Sequence, residues 1–263
     1  MDKLVAIITG PTRNGTTYVK NVLDSHPKIF SGFETGILLN KNFEESKPFN
    51  KWIYEGGYHW GLPKHIQFKN NLTFNDKYVL LFNNKGSLEG PVQKKIRESQ
   101  FLVDKTPAYF KSLSSFKNVL QRFNKKIPVI ISIKYFKDHY YSHMIKRSDF
   151  TEKQFMDEIN NYLSILEFLN LNNQINVFVF LYDDIIKYNE KFNSKIKDII
   201  KHKIDVNNIE LSHSNYEKKV KHLNEGRPYV GWKNNTEIIN LPEKFLQTEK
   251  LYDQLINKVK TKL

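Results

Sequence analysis

The chain of 263 residues contains no cysteine. Disulfides and thiolate metal sites are therefore excluded, and the fold must rest on its apolar core. Long apolar runs are lacking too. Leu4–Ile8 and Ile175–Leu181, the second interrupted by Asn176, fall far short of the roughly 20 residues that cross a bilayer. No basic and apolar leader precedes the first run, so a cytoplasmic protein without a membrane span is expected. On that reading the sequons Asn71-Leu72-Thr73 and Asn234-Asn235-Thr236 are accidental. Arginine is scarce as well: against a net charge of +13, only Arg13, Arg97, Arg122, Arg147 and Arg227 carry a guanidinium. The remaining cations are lysines spread evenly among asparagines, without the clustered arginines and interleaved aromatics of a nucleic-acid footprint. No specific nucleic-acid partner is expected, while the excess positive charge would draw in a small, multiply charged anion. This length suffices for one α/β domain with a full core and not for two domains and a linker, so residues 1–263 read as a single domain.

What is present is an alternation of short β-branched runs with helix-period stripes. Leu4–Ile8 reads as a buried parallel strand, and Val19, Val22 and Leu23 give the 3.6-residue stripe of a following helix. Between them lies Thr9-Gly10-Pro11-Thr12-Arg13-Asn14-Gly15-Thr16-Thr17-Tyr18. Loop amides and the first helical turn at such a junction point at an anion, with the positive end of the helix dipole behind them. By itself the loop serves equally well as a steric strand-to-helix turn. Gly10 and Gly15 occupy the glycine positions of G-x-x-x-x-G-K-[ST], but Thr16 stands where nucleotide-hydrolysing enzymes carry lysine, and Arg13 supplies a cation from within the loop.

Further strands are expected at Lys28–Ser31, Phe101–Val103, Pro128–Ile133 and Val177–Leu181. Helices are expected near Thr35, over Ser112–Phe123, after Tyr135, over Thr151–Leu169 with Thr151 as cap, around Phe192–Ile200, and over Pro242–Val259. Residues 40–99 lose periodicity but hold Trp52, Tyr54, Tyr58, His59 and Trp60. These aromatics read either as the local core of an insertion or as the wall of an acceptor pocket. His139 and His143 lie one helical turn apart, but no intervening Glu and no third ligand accompanies them, and no metal is expected.

Four motifs in order, and a shortened fifth near the end of the sequence, resemble one family. Gly10–Thr17, then Leu23-Asp24-Ser25-His26-Pro27, then Gly32-Phe33-Glu34-Thr35, resembles the 5′-phosphosulfate loop of sulfotransferases that use 3′-phosphoadenosine-5′-phosphosulfate (PAPS). The resemblance is to the tyrosylprotein and related Golgi-type and bacterial branches, with Asn14 in place of the usual serine, a change that is tolerable if the position contributes mainly its backbone amide. Asp104-Lys105-Thr106-Pro107-Ala108-Tyr109 resembles the family's Glu/Asp-Lys-Ser/Thr-Pro-x-Tyr signature, whose lysine reaches the transferring sulfonate. Lys134 and Ser142 match the spacing of the family's Arg and Ser on the 3′-phosphate, although lysine loses the bidentate fork, His139 replaces a second Arg, and Lys146 is the available compensating cation. Tyr182-Asp183-Asp184-Ile185 resembles Tyr-Glu-Asp-Leu, whose tyrosine lies near the adenosine. Gly226-Arg227-Pro228-Tyr229-Val230-Gly231-Trp232-Lys233 resembles a shortened form of the loop covering the nucleotide.

The resemblance implies a P-loop-like three-layer α/β/α fold with a central parallel sheet, and transfer of sulfonate from PAPS to a hydroxyl of a glycan, tyrosine or small molecule, leaving 3′-phosphoadenosine-5′-phosphate (PAP). It implies donor binding by Arg13, Asn14, Gly15, Thr16, Thr17, Tyr18, Lys134, Ser142, Tyr182 and Arg227, and chemistry by Arg13, Lys105 and Glu34, the last as general base. The strand ending at Ser31 is expected beside the first strand, which would bring Glu34 to the loop. Alternatively Glu34 pairs with Arg13 or caps the helix at Thr35. Two other functions remain open at this point: a P-loop small-molecule or nucleoside kinase, with Asp104 or Asp183 as metal ligand, and a basic polyanion-binding protein with a degenerate site.

Overall fold

The computed structural model describes residues 3–31, 34, 36, 38–39, 99–122, 127–146, 151–172, 174, 176–201 and 241–263, without the side chains of 122 and 144–146. The aromatic stretch 40–98, Thr35 and the motif at 226–233 lie outside them, so the expectations for the insertion and for Arg227 fall there. The strands are β1 (Leu4–Thr9), β2 (Ile29–Ser31), β3 (Phe101–Lys105), β4 (Val129–Ile133) and β5 (Val177–Leu181). The helices are α1 (Thr16–Asp24), α2 (Leu113–Arg122), α3 (Phe136–Lys146), α4 (Glu152–Leu171), α5 (Tyr182–Lys187), α6 (Asn189–Ile200) and α7 (Leu246–Val259). All strands pair in parallel, in the order β2-β3-β1-β4-β5.

Burial on both faces is why these strands are written as continuous apolar runs. Alternate residues feed two cores. Ile7, Val129, Ile131, Val179 and Leu181 pack with α2, α3, α4 and α7, while Ile8, Ile130 and Phe180 pack with α1, α5 and α6. The result is the expected three-layer α/β/α architecture. On α4, Thr151 forms a full capping box: its hydroxyl accepts the Gln154 N–H, and the Gln154 side chain accepts the Thr151 N–H.

One expectation is corrected. β2 does not run beside β1: it lies at the sheet edge, separated from β1 by β3, with Ile29 opposite Phe101 and Ser31 opposite Val103. The five-residue β3 gives β1 a longer buried seam, from Leu4 opposite Leu102 to Ile8 opposite Lys105. A three-residue strand suits an edge, where few unpaired backbone groups are left over. The chain therefore leaves β1 on one side toward β2 and β3, and returns on the other side through β4 and β5. The carboxyl end of β1 is the switch point of the sheet, where open α/β folds keep their ligand crevice. The helix expected near Thr35 is not seen in the residues described there, where Leu39 N–H closes a turn onto the Gly36 carbonyl.

The C-terminal helix braces this crevice from behind. Asp253 on α7 accepts the Phe136 N–H at 2.8 Å and so caps α3. Burial raises its pKa from 3.8 to about 6, with help from Glu249 and Asp138 and against that hydrogen bond. The folded state thus favours the protonated acid. The stability linked to this group is complete below the unfolded value of 3.8 and is lost as pH rises through about 6. Asp253→Asn keeps the acceptor without the charge, and is expected to raise the melting temperature at neutral pH and to leave it unchanged near pH 4. A lower melting temperature at neutral pH would show instead that α3 depends on the carboxylate's charge.

Candidate active site

The register sets the site. Ile8 stands opposite Lys105 and Thr9 opposite Ile131. Ile133 stands opposite Leu181, the last residue before Tyr182. The loop after β1, Lys105 at the end of β3, Lys134 just past β4 and Tyr182 just past β5 therefore emerge along one sheet edge.

Two glycines let the loop lie against its neighbours. Gly10 has φ of 142°, and a Cβ there would sit 2.2 Å from the Ser132 carbonyl oxygen. Gly15 has φ of 85°, and its Cβ would fall 2.1 Å from the Tyr182 ring. Arg13 also adopts a left-handed conformation, with φ of 64°, and this kind of stored strain concentrates where a backbone must present itself to a ligand. Gly15 is the cap position of α1, and no side chain caps the helix, so an anion is the natural partner for the first-turn amides at Thr16 and Thr17. The Arg13 Nε is buried with no hydrogen-bond partner among the described residues.

The Asp104–Tyr109 motif holds the other wall. Asp104 is fully buried and accepts from the Thr106 hydroxyl at 3.3 Å and the Tyr109 hydroxyl at 2.5 Å. Those hydroxyls in turn accept the Gly36 N–H at 3.3 Å and the Leu38 N–H at 3.1 Å. Burial and the Asp104 charge push the Tyr109 phenol well above its ordinary pKa, so it stays a donor. With the chain pinned at Gly36 and Leu38, the Glu34 carboxylate meets the Lys105 ammonium at 2.6 Å. The Lys105 side chain is 6% exposed and Glu34 40%. Glu34 thus pairs with Lys105, a partner the sequence does not single out, rather than with Arg13 or the start of a helix at Thr35.

Asn14 does more than lend an amide. It is fully buried; its Nδ2 donates to the Thr12 carbonyl at 2.8 Å, its Oδ1 accepts the Lys134 N–H at 2.5 Å, and its carbonyl accepts from the Ser132 hydroxyl at 2.5 Å. Its own N–H donates to the Pro11 carbonyl at 3.3 Å. Lys134 is 4% exposed, with its ammonium 5.0 Å from the centre of the Tyr182 ring, a cation–π distance. Tyr182 is 2% exposed and meets Tyr18 edge to face. Ser142 stands on α3, half-buried, and the Lys146 side chain lies outside the described residues.

Thr12 is tied to the opposite layer. Its hydroxyl donates to Glu158 at 3.3 Å and lies 3.2 Å from His143 Nε2, and Glu158 also accepts from Tyr162 at 2.9 Å. His139 and His143 are both fully buried, their ring centres 4.7 Å apart. Burial, then His143 and Lys134, hold the His139 pKa well below its ordinary value. His139 is therefore neutral at pH 7 and does not supply the charge of the arginine that the family resemblance associates with this position. Among the described residues no group of three His, Cys, Asp or Glu side chains could hold a metal ion. The Asp-x-His-Pro element is architectural: Asp24 accepts the Ser31 N–H at 3.0 Å and pairs with Lys20, while His26 Nδ1 accepts the Lys28 N–H. Asp104, a metal ligand in the kinase reading, is committed to Thr106 and Tyr109.

Among solved structures, the sulfotransferase domain of the Synechococcus PCC 7002 olefin synthase matches over 100% of this chain and 96% of its own, with a TM-score of 0.59 at 14% sequence identity. A sulfotransferase from Alicyclobacillus acidocaldarius matches over 84% of this chain and 92% of its own, with a TM-score of 0.48 at 11% identity. The first likeness, spanning both chains, shows a sulfotransferase-type α/β fold. No protein-family model and no curated protein matches the sequence.

Gly10 offers a direct check on the loop's seating. Gly10→Ala places a methyl against backbone that cannot yield and is expected to lose about 1–3 kcal/mol of unfolding free energy in urea titration. Unchanged stability would mean that the loop does not rest on β4.

Proposed function

We propose that the protein is a PAPS-dependent sulfotransferase acting on a hydroxyl of a glycan, a tyrosine or a small molecule. The observation that carries the reading is the pairing of the buried Lys105 with the half-exposed Glu34 at the switch point, beside a glycine-bracketed loop whose helix has no side-chain cap. A cation and a base side by side suit transfer to a hydroxyl, which needs charge offset on one partner and proton removal from the other. PAPS brings a sulfonate attached to a phosphate leaving group.

Arg13, Gly15 and the first-turn residues Thr16, Thr17 and Tyr18 hold the phosphosulfate end, with Asn14 keeping the loop in shape. Lys105 and Arg13 offset the negative charge that builds on the leaving phosphate, as fixed cations do in phosphoryl transfer. Lys134 and Ser142 hold the 3′-phosphate, and Lys134 acts as a point charge rather than a fork. Tyr182 supports Gly15 and Lys134 beneath the nucleotide, and Arg227 covers it. Glu34 accepts the proton of the acceptor hydroxyl. Its ion pair with Lys105 must loosen first, which couples the base to arrival of the sulfonate that Lys105 exchanges it for. Aromatic residues of the 40–99 segment line the acceptor side.

PAP is expected to raise the melting temperature, by the equivalent of about 2.7 kcal/mol at a hundredfold excess over its Kd, with little salt dependence. ATP with Mg²⁺ should not. No shift with millimolar PAP overturns the assignment, and a shift with ATP and Mg²⁺ alone returns the kinase reading. Glu34→Gln keeps an oxygen for Lys105 but no base. Once a screen of acceptor pools by mass spectrometry has named an acceptor, turnover of this variant should fall roughly a hundredfold or more with PAP affinity intact. Weaker PAP binding with turnover per donor-bound enzyme retained would make Glu34 structural.

A further inference from the structure

We infer that Asn14 is a positioning residue whose side chain sets the spacing between the two phosphate-binding halves of the donor site. The inference rests on the donor reading above, and it concerns a residue that the resemblance treats as a stand-in for serine. The 5′ half is the loop Gly10–Gly15, and the 3′ half begins at Lys134. Within the described residues Asn14 touches both. Its Oδ1 accepts the backbone N–H of Lys134, its Nδ2 donates to the Thr12 carbonyl inside the loop, and its carbonyl accepts from the Ser132 hydroxyl of β4. The amide plane of one fully buried side chain thus fixes Thr12 relative to the residue that carries the 3′-side cation.

The chemistry of the amide explains why asparagine stands here. A carboxamide offers a donor and an acceptor on separate atoms, one for the Thr12 carbonyl in the half-buried loop and one for the Lys134 N–H, a buried group that needs satisfaction. A serine hydroxyl is one bond shorter, and its single oxygen cannot stand at both ends of the seam. The loop also needs this tie. With Arg13 and Gly15 in left-handed conformations on either side, its geometry is set by what holds it rather than by local preference. The Lys134 ammonium is itself confined, buried over Tyr182, so movement of its backbone away from the loop is not recovered by swinging the side chain.

The coupling predicts a particular loss. Breaking it should cost mainly the benefit of having both phosphates on one ligand, and much less of the affinity for one phosphate. The test is calorimetric titration of the full chain with PAP and with adenosine 5′-phosphate, which lacks the 3′-phosphate. The parent should prefer PAP. Asn14→Ser should lower PAP affinity about tenfold, as loss of a buried hydrogen bond implies, while adenosine 5′-phosphate affinity falls less than about threefold, so that the preference shrinks. A purely structural Asn14 would weaken both ligands in parallel and keep the preference, which overturns the inference. Ser132→Ala, which removes the β4 tie alone, should shrink the preference in the same sense and covers the case in which Asn14→Ser does not fold; an unchanged preference in Ser132→Ala then overturns the coupling. Equal binding of the two nucleotides by the parent would overturn the donor reading itself, and the coupling with it. A parent that prefers PAP beside an Asn14→Ser variant with the same preference would overturn only the coupling.

Discussion

A lysine ammonium buried at the end of a parallel strand has to be paired, and much of the site follows from that need. Lys105 is one of the least exposed cations of the described chain, and an unpaired charge in that place would cost far more than the fold can spare. The partner, Glu34, arrives from a strand that is not even adjacent to β1. It reaches Lys105 because two hydroxyls of the same motif, on Thr106 and Tyr109, grip the chain just beyond it at Gly36 and Leu38, with Asp104 holding both hydroxyls from below. One six-residue motif therefore supplies the cation and the scaffold that delivers its counter-charge.

The loop after β1 obeys a second constraint, close contact. It leans on the Ser132 carbonyl at Gly10 and on the Tyr182 ring at Gly15, and is tied to β4 through Asn14 and to α4 through Thr12 and Glu158. Contacts from β4, α3, α4 and α5 converge on it, so its shape is set by tertiary packing. A cradle built in this way is preorganised, and preorganised dipoles and cations cost little reorganisation when charge develops.

Much of this was legible in the sequence, for physical reasons. Buried parallel strands are written as short β-branched runs, so β1, β4 and β5 could be read directly, and Thr151 marked the start of α4. Gly10 and Gly15 marked the loop, because only glycine fits where a strand meets a helix at such close approach. What could not be read was pairing between distant segments. Periodicity carries no information on strand order, so β2 was expected beside β1. Glu34 was set against Arg13 or a helix cap because Lys105 is remote in the chain. The side-chain work of Asn14 was hidden because its partners are backbone groups of Thr12 and Lys134. Asn14 in place of serine was the available signal, since a departure inside an otherwise matching motif marks a residue with different partners. The spacing of His139 and His143 placed them on one helix face but gave no sign of their burial or of the link from His143 to Thr12.

In the proposed function, one sheet edge, from Lys105 to Lys134, holds the two phosphate ends of a 3′,5′-bisphosphorylated adenosine. A crystal structure of the protein with PAP tests it most directly. The 5′-phosphate is expected on the amides of residues 15–17 with Arg13 against it, and the 3′-phosphate at Lys134 and Ser142. A 5′-phosphate bound away from the Gly10–Gly15 loop, or a 3′-phosphate left in solvent with Lys134 still buried against Tyr182, would contradict it.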